Sequence, residues 1–264
     1  MPVPSEKWSD LAVRMGSGAA MVLIGMWGIW VGGHMFHALV ALVCGLMVWE
    51  LVRMLHPETT GVAVQLGMLA GVVVGVAIYL PVFMALPVLL APALVGFGQL
   101  RRYKWVYMIF SLTVLLAGFG MMSVRDDLGF AWMLWLVLVV VVTDVVGYFA
   151  GRLIGGPKFW PRISPKKTWA GTGFGWMGAA LVGVAFMTQT GAGAKVIVMS
   201  VAVSVASQLG DIAESAMKRK VGVKDSSNLI PGHGGLLDRF DGMLGASVFL
   251  LIVGSIVGFP SGLE

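Results

Sequence analysis

The chemistry of this chain is crowded into residues 207–242, SQLGDIAESAMKRKVGVKDSSNLIPGHGGLLDRFDG. Five acids, five bases and a histidine stand there, in a protein with only 12% charged residues. Asp211 and Glu214 are three apart and Lys218 follows Glu214 by four, so a helix carries all three on one face. Asp238 and Asp241 repeat the three-residue spacing. Between them, Pro231-Gly232-His233-Gly234-Gly235 interrupts any helix. Its glycines reach backbone angles that let main-chain N–H groups approach an anion. Asp211, Asp238 and Asp241 together make an oxygen-rich set suited to a hard cation such as Mg²⁺, which binds through one or two carboxylates and keeps waters and substrate phosphates. Zinc is disfavoured, because no His/Cys cluster has ligand spacing. A purely structural reading pairs these acids with Arg239 and the neighbouring lysines.

A second constellation runs from Arg152 to Gly173. Arg152, Lys158, Arg162, Lys166 and Lys167 are basic, with Ser164 and Thr168 as hydroxyl neighbours. Cations and hydroxyl donors in one loop suit a polyphosphate; the same run also reads as an ordinary basic loop at a membrane surface. Two further acids lie inside apolar segments, where a charge costs about 2.5–3.5 kcal/mol on insertion scales. Asp144 has no basic neighbour until Arg152 and is read as functional. Glu50 has Arg53 at i+3, so an ion pair and a site role are equally open.

The elements that must position these groups are membrane helices. The chain has 264 residues, 58% of them hydrophobic, and a mean hydropathy of +0.90, outside the range of soluble domains. Runs near the roughly 20 residues that cross a bilayer recur at 17–33, 34–52, 61–79, 80–98, 105–122, 129–150, 171–190, 193–213 and 243–259. The expected fold is all-α and polytopic, with nine spans. Residues 1–125 form an amino-terminal scaffold. Residues 126–264 form a catalytic half with two polar connections, 151–170 and 214–242. Of the 18 Lys and Arg residues, alternating sides leave only Arg125 and Lys195 opposite the rest, so the basic side, Lys7 included, is cytoplasmic. The amino terminus is then cytoplasmic, the carboxyl terminus extracytoplasmic, and both polar connections face the cytosol. Glycines in the first span (Gly16, Gly18, Gly25, Gly28) and third (Gly61, Gly67, Gly71, Gly75) are read as close-packing positions.

Several classes are set aside. The single Cys44 excludes an intrachain disulfide. The net charge of +5 follows from the basic side and its attraction to anionic headgroups, and no nucleic-acid module is present. Neither a Walker-type phosphate loop nor a Gly-x-Ser-x-Gly elbow occurs. His34 and His37 fall on the opposite side from the motif and read as packing or interfacial residues.

The motif resembles that of the phosphatidate cytidylyltransferase family, also called CDP-diacylglycerol synthases. Ser215, Lys218, Arg219, Lys224, Asp225, Pro231 through Gly235, Asp238, Arg239 and Asp241 occupy every position of its carboxy-terminal pattern. Thr143-Asp144, Tyr148-Phe149, Gly151-Arg152 and Ser164 through Trp169 extend the similarity over about 125–245. Departures are Ala170 where the family commonly has Glu, Gly147 where it often has Ala, and Ser227 where it often has Gly. The resemblance implies conversion of CTP and phosphatidate to CDP-diacylglycerol and pyrophosphate. It puts Asp211, Asp238 and Asp241 on Mg²⁺, with Asp144 as a further ligand or the partner of one, and it leaves room for a second metal ion. Lys166, Lys167, Lys218, Arg219, Lys224 and Arg239 would hold phosphate oxygens, Ser164 and Thr168 would donate hydrogen bonds, and His233 would contact phosphate or fix the glycine-rich turn. Partners are CTP, phosphatidate and membrane lipids, with a homodimer in keeping with the family, in a bacterial inner membrane with the site facing the cytoplasm. Two other readings are a CDP-alcohol phosphotransferase, whose Asp-Gly-x-x-Ala-Arg run is missing, and an organic-anion transporter, which needs a site near the midplane.

Overall fold

The structure, a computed structural model, describes residues 4–260, with side chains from residue 11 onward. The Lys7 side chain and residues 261–264, both part of the orientation argument, fall outside that description. The chain forms two compact units, Met1–Leu115 with Val221–Phe240, and Leu116–Lys220 with Asp241–Glu264. Among the described residues, nine helices are long and apolar enough to cross a bilayer. Large apolar side chains such as Leu23, Trp30, Met68 and Phe83 point outward, as a lipid-facing surface requires.

The first unit contains α1 (Pro4–Val31), α2 (Gly33–Leu55), α3 (Thr60–Ala77), α4 (Val82–Leu89), α5 (Ala91–Gln99) and the start of α6 (Lys104–Ser123). α1 and α2 are separated at Gly32, whose φ of 66° only glycine adopts readily. α2 stops at His56 because Pro57 follows and pushes that residue out of the helical region. The span read over 80–98 is present as Val82–Gln99, interrupted at the single residue Leu90 between α4 and α5, where Pro87 and Pro92 each lack an N–H. α2 packs on α3 through Gly67 and Gly71. A Cβ at Gly67 would lie 2.8 Å from the Gly45 carbonyl oxygen and 2.9 Å from Trp49 Cβ. The close-packing reading thus holds at those positions, whereas Gly16, Gly25 and Gly61 have nothing within 4 Å.

The second unit contains the end of α6, a π-helical turn at Val124–Leu128, α7 (Phe130–Leu153), a hairpin of β1 (Lys158–Trp160) and β2 (Ser164–Thr168), α8 (Trp169–Thr190), α9 (Lys195–Val221) and most of α10 (Leu237–Phe249). The hairpin is antiparallel, pairing Lys158 with Thr168 and Trp160 with Ser164. It lies within the polar connection expected over 151–170, where strand pairing satisfies backbone groups that a bare loop leaves exposed. Polar contacts tie α9 to its neighbours. Trp135 Nε1 donates to Ser200 Oγ at 2.9 Å, Thr143 Oγ1 lies 2.7 Å from Ser204 Oγ, and Trp176 Nε1 donates to Gln208 Oε1 at 2.9 Å. Hydrogen bonds of this kind hold helices together where lipid removes the hydrophobic drive for association.

The polar connection expected over 214–242 is shorter than expected. α9 continues to Val221, since Lys218 pairs with Glu214 one turn back and the basic last turn complements the helix dipole. α10 already begins at Leu237. Asp238 therefore sits in the first turn of α10 and Asp241 one turn further on.

Candidate active site

In the second unit, α7, β2, α9 and α10 bring Asp144, Lys167, Asp211, Lys218 and Asp241 into one electrostatic neighbourhood. Lys167 Nζ lies 2.6 Å from Asp211 Oδ2, with both side chains partly exposed. Asp211 Oδ1 accepts from Ser215 Oγ at 3.2 Å. Asp241 interacts with Asp211, Asp144 and Lys218, and Asp144 with Lys167 and Asp211. The Lys218 ammonium meets the buried Glu214 carboxylate. Asp241 Oδ1 accepts the Gly242 N–H at 2.7 Å.

Two glycines make this arrangement possible. A Cβ on Gly210 would lie 2.4 Å from the Asp241 carbonyl oxygen, and one on Gly245 would lie 2.3 Å from the Ala206 carbonyl oxygen. The α9 and α10 backbones thus touch where Asp211 and Asp241 branch off. Gly210→Ala is expected to lower turnover at least about tenfold, because backbone atoms must separate to admit the methyl group. Turnover of variant that still elutes as folded protein checks this; unimpaired turnover would contradict the role given to the close approach.

In the first unit, the motif loop is held from within. Asp238 Oδ2 accepts from Ser226 N at 2.8 Å, Ser226 Oγ at 2.9 Å and Gly235 N at 2.9 Å. Glu50, fully buried on α2, accepts from Leu236 N at 3.0 Å, Leu237 N at 2.9 Å and the Ser227 hydroxyl. Ile230 N donates to Gly234 O and His233 N to Ile230 O. Within the turn whose main chain was expected to approach an anion, the N–H groups of His233 and Gly235 are therefore taken up, by the Ile230 carbonyl and by Asp238. The ring of His233 sits with Nδ1 2.8 Å from Ser17 Oγ of α1, and Arg239 Nε donates to the His233 carbonyl at 2.9 Å. Of the two roles open to His233, this geometry supplies contacts for fixing the turn.

The remaining sequence-derived residues fall as follows. Lys166, Arg219 and Lys224 are exposed and Ser164 is half-buried in β2. Thr168 is buried and caps α8, its Oγ1 accepting from Gly171 N at 3.1 Å, which is the usual work of a threonine before a helix. Ala170, where the family commonly has Glu, lies in the first turn of α8. Glu50 was legible only as a costly buried acid. Ser17 and Ser226 carried no signal of their own, and Ser227 stood out only as a departure from the Gly the family often has there.

Among the described residues, no three or more His, Cys, Asp or Glu side chains are gathered tightly enough to hold a metal as they stand. The chemistry of the donors nevertheless suits Mg²⁺. Asp144, Asp211 and Asp241 offer only oxygen, a cationic lysine already rests on Asp211, and one or two carboxylates suffice for that ion.

Fold and site together define an integral membrane protein whose paired acids and lysines are suited to phosphate chemistry. A family model described as the cytidylyltransferase family matches residues 12–257. The phosphatidate cytidylyltransferase of Brucella abortus (strain 9-941) is 34% identical over 261 residues, covering 96% of each chain. That of Staphylococcus haemolyticus is 37% identical over 151 residues, 54% of this chain and 58% of its own. That of Helicobacter pylori (strain 26695) is 40% identical over 128 residues, 48% of each. The chain belongs to the cytidylyltransferase family, and is thus a nucleotidyltransferase.

Proposed function

We propose that the protein is a Mg²⁺-dependent phosphatidate cytidylyltransferase working at the cytoplasmic face of a bacterial inner membrane. Phosphatidate reaches the site from the lipid with its acyl chains still in the bilayer, and CTP arrives from the cytosol. A phosphate oxygen of phosphatidate forms a new bond to the α-phosphorus of CTP. The α–β anhydride bond breaks and pyrophosphate leaves with the bonding pair. The phosphate monoester has a second pKa of about 6, so its attacking oxygen is already mostly deprotonated near neutrality and no strong base is required.

The observation that carries this reading is the Lys167–Asp211 pair set beside Asp144, Asp241 and Lys218, in a chain that aligns over 96% of its length with a relative named for this reaction. Two anions must meet, so the protein's main work is to offset repulsion, align the reactants and stabilise charge gathering on the leaving group. Asp211 and Asp241, with Asp144, would hold Mg²⁺, which supplies positive charge against the phosphate oxygens. Lys167 and Lys218, paired with Asp211 and Glu214, would turn to the phosphate oxygens of the nucleotide. Lys166 and Arg219 lie exposed to receive further phosphate oxygens. Asp238 contributes chiefly by shaping that loop through its Oδ2.

Incubating purified protein in detergent with labelled CTP and phosphatidate tests the reaction. CDP-diacylglycerol and pyrophosphate are the expected products, and their absence with saturating Mg²⁺ would refute it. The facing of the site is tested separately. Cys44 is buried, so an Arg219→Cys variant carries one reactive thiol. An impermeant maleimide is expected to label it in inside-out vesicles and not in intact spheroplasts, and the reverse pattern would overturn the orientation.

A further inference from the structure

Glu50 belongs to α2, far in sequence from the motif, and no part of the reaction proposed above uses it. Its side chain is fully buried, and an ionised carboxylate is stable there only if fully hydrogen-bonded. The neighbour offered by the sequence does not serve, because Arg53 Nη1 goes to the Pro57 carbonyl at 3.0 Å and Thr60 Oγ1 at 2.7 Å. Glu50 instead reaches the first backbone N–H groups of α10. Oε1 accepts from Leu236 N and Ser227 Oγ, and Oε2 from Leu237 N, with Ser226 Oγ at 3.5 Å.

A helix start leaves N–H groups without intrahelical partners and carries positive dipole charge. α2 supplies the anion for that position from 187 residues away. Ser226 lies between this carboxylate and that of Asp238, which takes the Ser226 and Gly235 N–H groups. The clamp also explains Gly235: a Cβ there would lie 2.0 Å from Ser226 Oγ and 2.7 Å from Glu50 Oε1. Glu50 and Asp238 together fix both ends of the turn that carries His233.

The geometry points to Glu50 as a positioning residue for cytidylyl transfer, the internal carboxylate that holds the start of α10 and the motif turn in their working shape. This rests on the reaction proposed above. Glutamine fills the same volume but presents an NH₂ to an N–H on one side, so it cannot replace the carboxylate.

The test compares wild type, Glu50→Gln and Glu50→Ala, full length in nanodiscs, by kinetics with CTP and phosphatidate and by amide hydrogen exchange. Glu50→Gln is expected to lower kcat about thirtyfold or more, with KM for CTP changed less than about threefold. Exchange should rise in residues 226–238 alone. Formate or acetate should restore part of the Glu50→Ala activity, while chloride at equal ionic strength should not. A wild-type kcat in Glu50→Gln would overturn the assignment, as would loss in Glu50→Ala that accompanies chain-wide exchange and resists both carboxylates. Should wild-type protein make no CDP-diacylglycerol, the reaction is refuted but the clamp still stands or falls by the exchange data: unchanged protection of 226–238 in Glu50→Gln would sink it.

Discussion

Asp241→Asn is expected to lower cytidylyl transfer about a hundredfold or more in protein that still inserts and folds. Asparagine keeps the volume of the side chain, and its carbonyl oxygen can still accept the Gly242 N–H that Asp241 Oδ1 accepts at 2.7 Å. What disappears is one negative charge from a neighbourhood shared by Asp144, Asp211 and Lys218. If that charge helps hold Mg²⁺, part of the loss should be recovered as Mg²⁺ is raised, because weaker binding is offset by mass action. If it serves only to balance Lys218, added Mg²⁺ should have no effect. The measurement is kcat against Mg²⁺ concentration for wild type and variant, on protein of matched size-exclusion profile. Near-normal turnover of the variant at Mg²⁺ concentrations that do not saturate wild type would defeat the metal-ligand assignment.

Lys167→Met should lower kcat/KM for CTP by about ten- to a hundredfold. The ammonium lies 2.6 Å from Asp211 Oδ2, but both groups are partly open, at 23% and 29% side-chain exposure. The ion pair itself is therefore screened and adds little to stability. Loss of activity without loss of stability is the expected signature, separating a lysine waiting for phosphate from one that merely buttresses the fold. Asp211→Asn should reduce turnover by a similar or larger factor. The double variant should fall far short of the product of the two single effects, since removing either partner already disables the same unit. Effects that multiply would show that Lys167 and Asp211 act separately.

Much of this molecule can be read from the order of its residues. Apolar runs must match the thickness of the hydrocarbon, so the spans expected at 61–79 and 171–190 fall within two residues of Thr60–Ala77 and Trp169–Thr190. Helical periodicity placed Lys218 beside Glu214, and the ion pair is present. Where local chemistry competes with hydropathy, the reading was less complete. Charged residues 214–221 look like a loop to a hydropathy pattern, yet a helix whose first turns are anchored in the membrane propagates through them at little cost. The hairpin of Lys158–Trp160 and Ser164–Thr168 is short and basic, and gives no alternating apolar signal.

The sequence by itself determined the class of fold and the cast of charged residues, because burial in lipid and family motif are both written in local order. Only the tertiary structure decided which carboxylate does what. It set Asp211 against Lys167, turned Asp238 inward onto Ser226 and Gly235, and sent Glu50 away from Arg53 to the first N–H groups of α10. Those choices depend on contacts between residues far apart in the chain. A buried carboxylate takes whatever donors packing brings within about 3 Å, and spacing along one helix cannot specify that.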